Sequence, residues 1–224
     1  MRWNVLGNGD NAHLFKRGTE GKLLICNMPP FEVPNNEVFA TCMVDYKMMV
    51  ALANGHIQLD MYDWILGTRP RHWMEMQPAF YLKYAQKIKA MHTHIPKYSQ
   101  LSGQNTAQAA TNYSCGHMAV DYACRVQKAT EVHIYGFDSM FDTSLRSYTD
   151  LLLESDRSSP NTHRIASNWR PIWTKMFEEF DKTQFFLYHS HDRIKFPIGD
   201  LSLIHISEPT RPLYISYAVF CLKK

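Results

Sequence analysis

Five short stretches of this chain carry residue types suited to holding a small polar ligand. Gly7-Asn8-Gly9-Asp10 joins two glycines, which let a backbone come close to a ligand, to an amide that both donates and accepts hydrogen bonds. Asn27 and Asp45 each follow the end of an apolar run. Tyr113-Ser114-Cys115-Gly116-His117 opens a run with helical spacing. Free amides of a first turn, with the Ser114 hydroxyl beside them, suit a phosphate. The same residues also read as an ordinary serine cap, with His117 as a surface histidine. The fifth stretch is Gly136-Phe137-Asp138, where a carboxylate closes another apolar run. Gly-Asn-Gly is also a common tight turn, so each stretch keeps a bland alternative.

Metal chemistry finds little support. No Asp-x-Asp pair occurs before residue 200, so nothing suggests a bridge to a diphosphate. His92-x-His94 and His189-x-His191 would place two rings on one face of a strand, but no further ligands stand at a defined spacing. Five cysteines at irregular intervals read as buried, reduced thiols.

The elements that must position these groups alternate. Trp3–Leu6, Lys22–Cys26, Phe39–Val44, Val132–Tyr135 and Gln184–Tyr188 read as strands. Tyr46–Ala53, Pro78–Met91, Cys115–Val126 and Ala166–Phe180 read as helices, the third with Met118, Tyr122 and Val126 on one face. Trp73–Met76 is admissible as a strand, and the small polar Gly103–Asn112 stretch as a loop. This alternation predicts an α/β fold: a Rossmann-like, doubly wound, mostly parallel sheet with helices on both faces and a small lid segment. Such sheets bind ligands beyond the carboxyl ends of their strands, where four of the five stretches fall, the fifth opening a helix.

Bulk properties set limits. The chain has 224 residues, 45% of them apolar, and a net charge of +3, so no pull toward nucleic acid is encoded. No apolar run has membrane-spanning length, and the first residues lack the features of a signal peptide, so a cytoplasmic protein is expected. Residues 201–224 resemble a translated sequencing adapter, read in the order of a library molecule. On that resemblance they form a non-native tail, and the natural C-terminus is missing. Residues 1–200 are then one nucleotide-sugar-binding domain with a lid at about 139–164.

In order and spacing the five stretches resemble the bacterial sialyltransferases of glycosyltransferase family forty-two and related phage-encoded proteins. The resemblance spans roughly residues 2–190. It matches Gly7-Asn8-Gly9 after the first strand, Cys26-Asn27 after the second and Asp45 after the third. Ser114-Cys115-Gly116 matches a small-polar-Gly helix start, Val132 to Asp138 a strand with its Gly-hydrophobic-Asp end, and His163 a lid histidine. It implies a CMP-sugar donor, a glycan acceptor, inversion at the anomeric carbon and no metal or other cofactor. Nucleotide contacts would come from Gly7, Asn8, Gly9, Asp10, Asn27, Asp45, Ser114, Cys115, Gly116 and Asp138. His163 would be the general base. Two departures stand out: Ser139-Met140 replaces the family's phosphate-holding tyrosine, and Asn112 replaces an arginine. Tyr113 or Tyr148 would have to hold the phosphate instead. The resemblance also leaves room for peripheral membrane association through the missing C-terminus. Its alternative is a non-catalytic phage or prophage protein that keeps the fold for nucleotide binding or assembly. A dinucleotide oxidoreductase fits less well: Ala12 stands at the third glycine position of Gly-x-Gly-x-x-Gly, and no acidic residue ends the second strand.

Overall fold

The computed structural model describes residues 1–100, 103–105, 112–140, 160–189, 201–205 and 218–222; for 139, 160–168, 201–205 and 218–222 it describes backbone alone. Seven strands form a parallel sheet: β1 (Arg2–Leu6), β2 (Lys22–Cys26), β3 (Val38–Met43), β4 (Trp64–Leu66), β5 (Ile88–Met91), β6 (Glu131–Tyr135) and β7 (Gln184–His189). β8 (Leu201–His205) and β9 (Ala218–Leu222) pair antiparallel, and β9 joins the outer edge of β7 in the same sense. The spatial order is β5-β4-β3-β2-β1-β6-β7-β9-β8. The chain therefore steps outward from β1 to β5, then crosses back to place β6 on the other side of β1. That reversal makes the β1–β6 junction the switch point of the sheet.

The helices are α1 (Tyr46–Ala53), α2 (Thr68–Glu75), α3 (Pro78–Tyr84), α4 (Cys115–Asp121) and α5 (Pro160–Glu179). A π-helical turn, Tyr122–Val126, extends α4 and includes the Gln127 amide bonded back to the Tyr122 carbonyl at 3.1 Å. Alternate residues of each strand face opposite layers. Trp3, Val5, Leu24, Val132 and Phe185 pack with Met118 and Ala119 of α4 and Trp173 and Met176 of α5. Leu6, Leu23, Ile25 and Met43 pack with Met48, Met49 and Leu52 of α1 and Met74 of α2. Cover on both faces explains why these strands read as continuous apolar runs rather than alternating ones. Each large apolar side chain so buried contributes about 1.5–3 kcal/mol.

The doubly wound α/β reading holds, and some boundaries move. Trp73–Met76 is not a strand. Pro70 and Met74, four apart and both buried, fix one helical face, and α2 runs through Glu75. The helix opened by Pro78 stops at Tyr84, because Ile88–Met91 is taken up as β5 beside β4. Val126 is 48% exposed: the π-helical turn carries it off the face shared by Met118 and Tyr122. α5 begins at Pro160, a proline preset for a first turn, so the end of the 139–164 segment is helix. Most of the Gly103–Asn112 loop lies outside the described residues. No helix among the described residues is long and apolar enough to cross a membrane.

Candidate functional site

The carboxyl ends of the parallel strands form one edge, and the five stretches lie along it. At the switch point the Gly7 amide donates to the Tyr135 carbonyl at 2.7 Å, and the Gly9 amide to the Gly136 carbonyl at 2.9 Å. A Cβ on Gly7 would fall well inside contact with the Gly136 carbonyl, and one on Gly9 would strike the Asp138 carboxylate. Gly136 has φ +72°, a left-handed conformation that glycine adopts freely. These glycines thus let two strand-end loops lie against each other. Asp138, buried, accepts from the backbone amide of Asn11 at 3.1 Å and from the Asn11 side-chain amide. Asn8 donates to the Cys26 carbonyl at 2.8 Å, while Asp10 is exposed at the start of a short 3-10 turn.

Asn27 takes φ 58°, a left-handed value that asparagine tolerates better than most residues. Its backbone is held at both ends: its amide donates to the Cys42 carbonyl at 3.0 Å, and its carbonyl accepts from Thr41 at 2.6 Å. The Cys115 thiol donates to the Asn27 side-chain oxygen at 3.1 Å and accepts from the Val44 amide at 3.4 Å. Cys115 therefore ties the ends of β2 and β3 to the start of α4. Burial pushes the Cys26 and Cys42 thiols well up, so both stay protonated.

Ser114 caps α4. Its hydroxyl accepts from the His117 amide, and His117 Nδ1 accepts from the Ser114 amide at 3.1 Å, a capping box with histidine as the returning partner. His117 is fully buried rather than a surface histidine, because the capping box turns its ring inward onto Trp173, with centroids 4.3 Å apart. Burial drives its imidazole down to about 3, outweighing the nearby Trp169 backbone, which pulls the other way. Gly116 lies flat against Phe137; a Cβ there would run into the ring. Tyr113 is also buried and directs its hydroxyl to the His117 carbonyl at 3.3 Å.

Asp45 stands at the N-cap of α1 and pairs with Arg69 at 2.7 Å. The Arg69 guanidinium also lies over the exposed Tyr46 ring at 5.2 Å. Both partners of this pair are part-exposed, so solvent screens it and its worth is about 0–1 kcal/mol. Behind it a pocket opens at the ends of β3, β4 and β5, lined among others by Thr68, Arg69, His92, His94 and Tyr113. His92 is buried, with Nε2 2.7 Å from Asp121. Asp121 is fully buried and accepts from Arg125, which reaches Glu179 at 2.6 Å. Burial alone would push the Asp121 carboxyl up, but hydrogen bonds from His92 and Arg125 outweigh it and hold it below its usual value.

The structure thus brings Gly7, Asn8, Gly9, Asp10 and Asp138 together at one point of the edge, and Asn27, Asp45, Ser114, Cys115, Gly116 and Tyr113 along its continuation. His163 lies on the described backbone of α5, but its side chain is outside the described residues, as is all of Tyr148. Thr68, Arg69, Asp121 and Arg125 were not singled out by the sequence reading. The available signal was Gly67-Thr68-Arg69-Pro70, a helix start that the strand alternative at Trp73–Met76 obscured. Among the described residues no cluster of three or more histidine, cysteine or acidic side chains is arranged to hold a metal ion. Comparison with protein-family models, with curated proteins and with solved structures gives no match.

Proposed function

We propose that this chain binds a cytidine nucleotide sugar along the carboxyl edge of its sheet and transfers the sugar, with inversion and without a metal, to a glycan acceptor of a bacterium or phage host. The observation that supports this most is the switch point itself. There the Gly7–Gly9 turn meets the Gly136–Asp138 turn, with Asn27 and the start of α4 alongside. Open α/β sheets bind nucleotides at such points. In this reading CMP leaves with one phosphate, stabilised by hydrogen-bond donors rather than by a cation. His163 removes the proton of the acceptor hydroxyl.

A second reading, nucleotide binding without turnover, draws on a specific observation. Asp138 is engaged by Asn11, and Ser139-Met140 follows where the resemblance calls for a phosphate-holding tyrosine. Calorimetry with CMP, then CMP release from CMP-sialic acid by wild type and His163→Ala, separates the possibilities. The transferase reading expects binding, release by wild type and a loss of about 10²–10⁴ in the variant. Binding without release selects the second reading. Equal turnover in both proteins removes His163 as the base, and no CMP binding overturns both readings.

A further inference from the structure

The pocket at the ends of β3, β4 and β5 holds polar groups that the nucleotide reading does not use. α2 starts there, capped by Gly67, which brings no side-chain oxygen. The Gly67 amide donates to the Met43 carbonyl at 2.9 Å, and Pro70 has no amide proton. The amides of Thr68 and Arg69 are left without a partner among the described residues. They sit at the positive end of the helix dipole. The Arg69 guanidinium adds a formal charge at the rim.

The second observation is independent of the helix. His92 is 7% exposed, and the ring lines this pocket. Its Nε2 faces Asp121 at 2.7 Å, while Nδ1 has no hydrogen-bond partner among the described residues. A buried imidazole fastened at one nitrogen by a carboxylate leaves the other to meet whatever enters. Gly67 keeps the wall close: a Cβ there would lie 3.1 Å from Met118 Sδ and 3.3 Å from Val44 Cγ1.

We propose that this pocket binds the anionic group, a phosphate or a carboxylate, of a small ligand, through the Thr68 and Arg69 amides, the Arg69 guanidinium and His92 Nδ1. With Nε2 held by Asp121, an anion meets the ring at Nδ1, which donates in the imidazolium form. The charged and titratable groups around it are Asp121, Tyr122 and Arg125 from the α4 segment, Tyr113 before it, His94 on the same loop, Arg69 on α2 and Asp45 at the N-cap of α1. Asp45 already pairs with the Arg69 guanidinium, so an anion here competes with it and gains less than from a free arginine. β4 is three strands from β1, about 14 Å at the spacing of a sheet, so the pocket lies away from the glycine turns of the switch point, although Tyr113 and Asp45 of the nucleotide reading border it.

The test is a titration of the full ¹⁵N-labelled chain with inorganic phosphate at constant ionic strength, followed by NMR with and without saturating CMP. The expected result is a saturable shift of the His92 ring nitrogens and of the Thr68 and Arg69 amides that persists when CMP is present. Arg69→Ala, a change at a part-exposed side chain, should weaken the fitted affinity about tenfold. No saturable shift at these groups, or wild-type affinity in Arg69→Ala, overturns the proposal. Loss of the shifts on adding CMP also overturns it, because the pocket then belongs to the nucleotide. Failure of CMP to bind at all counts against the nucleotide reading alone, and the phosphate shifts still decide this one.

Discussion

At the β1–β6 junction the polar groups answer one another: the amides of Gly7 and Gly9 meet carbonyls of the facing loop, and Asp138 meets Asn11. Three strands away, at the mouth of β3, β4 and β5, the amides of Thr68 and Arg69 and the Nδ1 of His92 meet nothing among the described residues. Yet the first region carries the glycine pattern that draws the eye in the sequence, and the second carries none. Glycines at a strand end report that something comes close to the backbone; here a large part of that something is another loop of the same chain. Convergent donors without acceptors are the stronger pointer to a ligand, and they become visible only after the chain has folded.

Substitutions can break this contrast. The largest effect is expected from Asp121→Ala, which leaves the His92 ring and the Arg125 guanidinium facing an empty buried position. Urea unfolding should show a loss of about 3–5 kcal/mol. A cost below about 1 kcal/mol would mean that the wall of the β3–β5 pocket is not held from behind by this carboxylate. Gly7→Ala tests the other region: the added methyl meets the Gly136 backbone, and a loss of about 1–3 kcal/mol is expected. Unchanged stability combined with lost CMP binding would invert the interpretation, assigning that glycine to a ligand rather than to packing.

The segment that bridges the two regions gives a pH signature. His117 titrates near 6.5 in the unfolded chain and near 3 in the folded one. The unfolded chain therefore binds the extra proton between these values. The stability contributed by the neutral ring is complete above pH 6.5 and is lost as the pH falls toward 3. The loss by pH 5 is about 2 kcal/mol from this group. His133, also lowered, chiefly by burial, acts in the same direction. In His117→Gln, which keeps a capping-box partner at that position, the slope of stability against pH over this range should shrink. An unchanged slope would show that this ring is not the group being protonated.

The sheet was legible because both faces of its central strands are covered, which leaves Lys22–Cys26 and Val132–Tyr135 as apolar runs with turn residues after them. β4 and β5 were not. Three residues, Trp64–Leu66, are too few to show a period, and Ile88–Met91 continues a helical pattern until pairing with β4 claims it. The candidate site was legible where a residue's role is local, as with the Ser114 cap. It was not legible where the role depends on a distant partner. Nothing around His92 announces Asp121, 29 residues further on. His117 shows the same dependence: a histidine in a first turn looks exposed in sequence, yet its ring returns to its own cap and is buried.

One feature of the sheet bears on how the protein behaves in concentrated solution. β9 occupies the outer edge of β7, next to the part-buried rings of Phe186 and Tyr188. A chain shortened to residue 200 would keep the seven parallel strands but turn β7 into an open border, with a row of amides and carbonyls beside two aromatic side chains. Such borders recruit other strands, including those of identical chains. Self-association on removal of the tail would then report an uncovered edge rather than a damaged fold.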